Sequence, residues 1–383
     1  MYFFIHKKEA KSRLIISIGS EVALVQALIN VPQQFLSEHL VADEILLIFP
    51  LSLKIPVTEA ISDARVIEAF GRLLPHWSPE EISALGIGHN GIAEFATPRS
   101  KGLDASAEAR ILLGIGAYDI FERRDGLMVA DSSCHFVKPS GKTTQWFLKT
   151  ANVLVNSGEI DFLALGLLFF LHKAPSTIYC DTAGIHALAY SLRYLLVCQG
   201  LLPKSGQLLI ESFNSYLGLE QFAFRTSSGA LVLISSSTSG DLASRVVEKG
   251  IPAEQIITVF FKGDSSPHLG YYLCDLGAID SYFDNNIQRR LANIHKRTSG
   301  SLPIVLQNEW FAVGERNTKQ HLLTATDAPP WLRKEQKLLI GCGLFAAMGR
   351  SATNHRLYQN LIRISHALQG RTPLRACLES RKK

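Results

Sequence analysis

Apolar residues follow two rhythms along this chain. Short runs rich in Ile, Leu, Val and Phe at 14–18, 45–49, 177–181, 207–211, 230–234 and 256–261 have the length and content of strands, several of them buried on both faces. Elsewhere apolar positions recur every three or four residues. That spacing predicts helices over 21–29, 63–74, 143–155, 159–171, 185–198 and 241–249. In the fifth, Leu188, Leu192 and Leu195 share one face. Strands alternating with helices across short polar turns predict an α/β fold, a parallel sheet flanked by helices. Ligands of such sheets sit at the carboxyl ends of the strands.

Three regions emerge: a mixed α/β module over 1–130, the clearest strand–helix alternation over 131–263, and a C-terminal extension over 264–383. In the first, the segment Gly86-Ile-Gly-His-Asn-Gly91 has no clean strand before it and reads as a turn rather than a nucleotide loop. In the third, a helix is predicted over 285–296 and a strand over 303–306, followed by two helices. The last of these carries a Leu357, Leu361, Ile364, Leu368 stripe.

Composition narrows the class. With 47% hydrophobic and 19% charged residues, the chain is globular, not disordered. The longest apolar run, 162–171, is about half of a bilayer crossing and is expected to be a buried helix. The N-terminus alternates charges with apolar pieces and shows no cleavage site, so a cytoplasmic protein with no membrane segment is expected. Six cysteines (Cys134, Cys180, Cys198, Cys274, Cys342, Cys377) lie without CxxC or zinc spacing, as free thiols do. The net charge of +5 is unevenly spread: residues 331–383 hold eleven Lys or Arg against two acids, a net of +9, leaving −4 for the rest. A basic tail, with Arg356 and Arg363 away from the apolar stripe, suits nucleic acid or an acidic partner as much as a solvated helical face.

Chemistry concentrates in 230–250, ALVLISSSTSGDLASRVVEKG. An apolar strand leads to a loop of hydroxyl residues ending in Gly240, then a helix. Ser237, Thr238, Ser239 and Gly240 supply hydroxyls, N–H groups and a close approach, and the helix N-terminus favours an anion.

Four segments in order carry a resemblance. They are His135-Phe-Val-Lys-Pro-Ser140-Gly141-Lys142, Asp181-Thr182-Ala183-Gly184 after a strand, Glu211-Ser212-Phe213-Asn-Ser-Tyr216, and 230–240. Together they resemble phosphoribosyltransferases, the orotate type above all. The resemblance covers the middle third and implies a phosphoribosyltransferase-like fold. It also implies a pyrophosphate loop at Thr182, Ala183 and Gly184, and a 5′-phosphate cradle at Thr238, Ser239 and Gly240. Ser140, Gly141, Lys142, Ser212, Phe213 and Tyr216 would face substrate, and Mg²⁺ would accompany it. The family places two adjacent acids before the phosphate loop; here Ile234 and Ser235 stand there, or Ser235 and Ser236. Without them the electron-poor sugar carbon loses electrostatic support and Mg²⁺ loses ligands, which weakens the expectation of both the metal and the usual transfer.

Asp181 and Glu211 follow neighbouring strands, and a carboxylate there can serve glycosidic cleavage as nucleophile or as base for water. Equally, Asp181 can cap a helix and Glu211 can form an edge ion pair. The expected ligand is a phosphorylated ribose or nucleotide. Divergent proteins of this type resemble accessory or effector proteins of bacterial anti-phage systems, including those beside retron reverse transcriptases. That resemblance implies an RNA, DNA or reverse-transcriptase partner for the basic tail. The alternative is a non-catalytic protein that works through the tail alone; a homo-oligomer is left open.

Overall fold

The computed structural model describes residues 1–313 except 9–10, 21–22, 38–41, 74–81, 98–103, 131–133, 138–142, 204–207, 226–228, 264–268, 284, 295–301 and 308–309. The two helices expected in the basic tail lie outside the described residues.

The first sheet joins β1 (Tyr2–Lys8), β2 (Lys11–Ser17), β3 (Glu44–Pro50), β4 (Ile82–Ile87) and β5 (Ala93–Phe95) in that order. The outer pairs are antiparallel and β2, β3 and β4 run parallel. Alternation along each strand divides its side chains between two layers. Leu14, Ile16, Leu47 and Phe49 face α1 (Leu24–Leu36), α2 (Lys54–Ile61) and α3 (Ala64–Gly71), whereas Ile15, Leu46, Ile48, Leu85 and Ile87 face the opposite layer.

That opposite layer is α4 (Ala105–Arg123), α5 (Ser157–Phe170) and α6 (His186–Cys198). Asp104 caps α4 by accepting from the N–H groups of Ser106 and Ala107, and Asn156 does the same for α5 at Gly158 and Glu159. As expected of 162–171, every residue from Phe162 to Phe170 is buried. Among the described residues no helix is long and apolar enough to cross a membrane.

Beyond this layer lies a second sheet, all parallel, in the order β11-β10-β12-β13-β14. Its strands are β10 (Thr177–Cys180), β11 (Leu209–Ser212), β12 (Ala230–Ser237), β13 (Ile256–Phe261) and β14 (Tyr271–Asp275). Ile178, Leu231, Leu233, Ile257 and Val259 join the shared helical layer. On the other face Tyr179, Val232, Ile234 and Ile256 pack with Leu242, Ala243 and Val246 of α8 (Asp241–Glu248), with Leu219 of α7 (Ser215–Leu219) and with Phe213 just before it. The parallel sheet flanked by helices is therefore present, and it runs past 263 to take in β14. Short helices α9 (Leu276–Asp280) and α10 (Asn286–Ala292) follow.

Two small sheets complete the fold. β6 (Leu127–Val129) pairs with β9 (Trp146–Leu148), and β7 (Cys134–Val137) lies between β8 (Thr143–Thr144) and β15 (Leu302–Gln307), which β16 (Trp310–Val313) borders. The helix expected over 143–155 is a misreading. Thr, Trp and Phe there favour strand, the Phe147 ring lies 6.2 Å from that of Phe136, and the segment ends in a short 3₁₀ turn, Thr150–Asn152.

A second correction concerns 86–91. A strand does precede it, β4, whose Leu85 and Ile87 are fully buried. The turn at Asn90 and Gly91 (φ +57° and +70°) aims two N–H groups at the carbonyls of Leu171 and Phe169, each at 2.7 Å. It satisfies the orphan carbonyls at the end of α5, so Asn90 and Gly91 serve docking.

Candidate functional site

In the second sheet β10 and β12 are neighbours while the chain leaves β10 outward to β11, so the strand order reverses between them. Crevices at such a switch point, outside the carboxyl ends, take ligands in α/β folds. The expected loops after β10, β11 and β12 all open on this edge.

Asp181 stands at its centre and is 3% exposed. Its N–H donates to the Leu233 carbonyl (2.9 Å), its own carbonyl accepts from Ser215 N–H (2.6 Å), and its Oδ2 accepts from Ser235 Oγ (2.7 Å). Thr182, Ala183 and Gly184 follow, and a 3₁₀ turn from Ala183 to Ile185 leads into α6. The positions where acids would stand are committed elsewhere. Ile234 is buried in the core, Ser235 binds Asp181, and Ser236 Oγ donates to the Leu148 carbonyl (3.3 Å). The Thr150 hydroxyl donates to the Ser235 carbonyl (3.1 Å). Residues 148–150 thus cover the end of β12, and burial lowers the pKa of Lys149 between them. Sequence reading missed these three because it placed them in a helix.

Strand β12 runs three residues further than expected, since Ser236 and Ser237 pair with Phe260 and Phe261 of β13. The loop is therefore only Thr238, Ser239 and Gly240. Ser237 Oγ accepts from Gly240 N–H (2.9 Å), and Ser239 Oγ accepts from Asp241 N–H (3.4 Å). Gly240 has φ +76°, a left-handed backbone that glycine takes without Cβ strain. This turn points the start of α8 at the edge.

Glu211 lies level with Tyr179 in the register of β10 and β11. Its carboxylate is 3.5 Å from the Arg225 guanidinium, so Asp181 and Glu211 hold different partners. Ser212 Oγ accepts from Asn214 N–H (3.3 Å). Phe213 is 1% exposed, with its ring 6.0 Å from Phe222 and 5.8 Å from Phe224; that is a core position. Tyr216 sits beside α8. The Arg245 guanidinium lies 5.4 Å from its ring centre, and burial, then the Asp241 carboxylate, push its phenol pKa up to about 12. Ser140, Gly141 and Lys142, between β7 and β8, and Arg356 and Arg363 lie outside the described residues.

A resident Mg²⁺ does not fit the side chains at this edge. Such a cation wants several carboxylate or phosphate oxygens, whereas Asp181 is here joined by the Ser235 hydroxyl. Among the described residues no group of three or more His, Cys, Asp or Glu is gathered to hold a metal.

No family model and no curated protein matches the chain. Among solved structures it is similar to the crystal structure of orotate phosphoribosyltransferase from Aeropyrum pernix, at 12% identity and a TM-score of 0.29 over 44% of this chain and 97% of that one. It is also similar to the orotate phosphoribosyltransferase of Mycobacterium tuberculosis H37Rv in complex with Fe(III) dicitrate, at 13% identity and a TM-score of 0.26 over 43% and 98%. TM-scores this low carry no argument about this chain.

Proposed function

We propose that the protein is a divergent, phosphoribosyltransferase-like binder of a phosphorylated ribose or nucleotide, which it holds at the carboxyl edge of the parallel sheet without the usual transfer. The observation that carries this reading is the left-handed turn at Gly240, which aims a serine-lined loop and the start of α8 at the switch point. The engagement of Ser235 with Asp181, where the family has acids, supports binding over transfer. Any chemistry retained is glycosidic cleavage, with Asp181 and Glu211 as its carboxylates.

Thermal unfolding with phosphoribosyl diphosphate tests this, because a ligand of the folded state raises the midpoint. A rise independent of Mg²⁺ is expected in the parent protein. Gly240→Val is expected to abolish it while leaving a folded protein, since forcing a β-branched residue left-handed costs about 1–2 kcal/mol. An equal rise in that variant would remove the loop from the site.

A second reading rests on the tail's net +9: that it binds RNA or DNA, as an accessory of a retron-type anti-phage complex would. Affinity for nucleic acid should then fall steeply with salt. Neutralising Arg356 and Arg363 should flatten the log–log salt slope by about 2, roughly one per lost phosphate contact. No binding at low salt would reduce the charge asymmetry to a matter of solubility.

A further inference from the structure

We propose a second reactive centre at the amino end of the parallel sheet, independent of the phosphate-loop reading above. Tyr271, His172 and Asn90 there serve as nucleophile, base and orienting amide, and the Tyr271 oxygen accepts the phosphoryl group of a small phosphate ester.

The geometry of the three side chains is the first support. His172 joins two residues that lie 82 and 99 positions away in the chain. Its Nδ1 is 2.6 Å from Asn90 Oδ1, and its Nε2 is 2.7 Å from the Tyr271 hydroxyl. An amide oxygen only accepts, so Nδ1 carries the proton of the neutral ring and Nε2 is left to accept from the phenol. That is the relation of nucleophile, base and orienter that activates a hydroxyl. The backbone holds it in place. Asn90 N–H donates to the carbonyl of Leu171, the residue before His172 (2.7 Å), and the Tyr271 ring stacks on Phe170 at 5.8 Å. Base, orienter and nucleophile are thus all fixed on the end of α5.

A cavity beside the base is the second support. About 280 Å³ opens against the imidazole, lined by His172, Lys173, Leu231, Glu254 and Gln255 among others. Gly270, just before Tyr271, lies so close to its wall that a Cβ there would meet the carbonyls of Ile256 and Ala253 at 2.5 and 2.9 Å. The Arg110 guanidinium lies 5.3 Å from the centre of the Phe170 ring on which Tyr271 stacks. The charged groups brought to the centre are therefore Lys173, Arg110 and Glu254, a positive balance that suits an anionic ester. In the step itself the Tyr271 oxygen bonds to phosphorus as the bond from phosphorus to the leaving alcohol oxygen breaks. The phenol proton passes to His172 Nε2 and on to that oxygen, which departs with the bonding pair. Water deprotonated by the same nitrogen then cleaves the phosphotyrosyl ester and restores the phenol.

The test is covalent capture of the full chain by diisopropyl fluorophosphate, whose phosphorus takes the nucleophile's oxygen and releases fluoride. Peptide mass spectrometry locates the label, with Tyr282, 62% exposed, as the internal reference. Tyr271 is expected to react about a hundredfold faster than Tyr282, the scale of general-base assistance. Its rate should fall as the pH drops from about 8 to about 5, the interval in which imidazoles take up a proton. His172→Ala should lose the advantage and react only at the alkaline pH where free phenols ionise. Asn90→Gly keeps a residue at ease in left-handed backbone while deleting the amide, and should slow labelling by about tenfold or more. Labelling of Tyr271 no faster than of Tyr282, or a rate in the parent protein that rises only at alkaline pH, would overturn the centre and leave the three side chains as a hydrogen-bonded latch. A fast Tyr271 unchanged in His172→Ala would overturn the base.

Discussion

Asp280 is fully buried, and its two oxygens take three donors. Oδ1 accepts from the Tyr118 hydroxyl and from Ile287 N–H (2.8 Å), and Oδ2 accepts from Gln288 N–H (2.9 Å). One carboxylate thereby caps α10, holds the end of α9 and ties both to α4, where the Tyr118 ring also stacks on Phe283 at 4.5 Å. Burial, then this hydrogen bond, raises the Tyr118 pKa far above that of a free phenol. Removing one partner of a buried bond costs more than the bond is worth, because the donors left behind lose water as well. Asp280→Ala is accordingly expected to destabilise the protein by about 3 kcal/mol or more, and Tyr118→Phe by about 1.5. Urea unfolding midpoints measure both, and a shift in Asp280→Ala no larger than in Tyr118→Phe would contradict the capping role.

Among the elements, those buried by their own composition were legible. β13 falls on 256–261 as expected because IITVFF is apolar but for one β-branched threonine, and α5 emerges because its run of apolar residues is too long for a strand. Elements held by neighbours were harder to see. The serines ending β12 have little strand preference of their own and are kept extended by pairing with Phe260 and Phe261. β4 hides behind Gly86 and Ser83, yet parallel pairing with β3 and antiparallel pairing with β5 hold it. The segment 143–155 carries apolar residues at spacings a helix would also accept, and pairing with the strands just before it, β6 and β7, decides for strand. The candidate site divides the same way. The loop after β12 and Asp181 could be read from residue types in order. The place of Tyr216 could not, because it depends on left-handed backbone at Asn214 and Ser215, which are not glycine.

At the scale of the whole molecule, the helical layer α4–α5–α6 is shared by the two sheets. Tyr2, Phe4, Ile48 and Leu85 from the first sheet and Leu233, Ile257 and Val259 from the second belong to one continuous buried cluster around it. The contacts are close. A Cβ at Gly116 of α4 would meet Phe162 at 2.4 Å and Phe4 at 2.8 Å, and one at Gly158 of α5 would meet the backbone of Met1 at 2.8 Å. Tyr2 shares its one hydroxyl proton between the Gly116 carbonyl (2.9 Å) and the Asp119 carboxylate (2.8 Å), while Asn90 and Gly91 cap the end of α5. A layer buried on both sides cannot keep its packing when one side is removed, since each large apolar side chain then exposed forfeits about 1.5–3 kcal/mol. Residues 1–313 should therefore unfold as one cooperative unit, although two sheets are present. Calorimetry of the full chain is expected to give a single transition with equal calorimetric and van't Hoff enthalpies, and a fragment beginning at residue 131 is expected to lack a cooperative transition. Two resolved transitions, or a fragment that melts as sharply as the whole, would show that the sheets fold independently and that the shared layer belongs to only one of them.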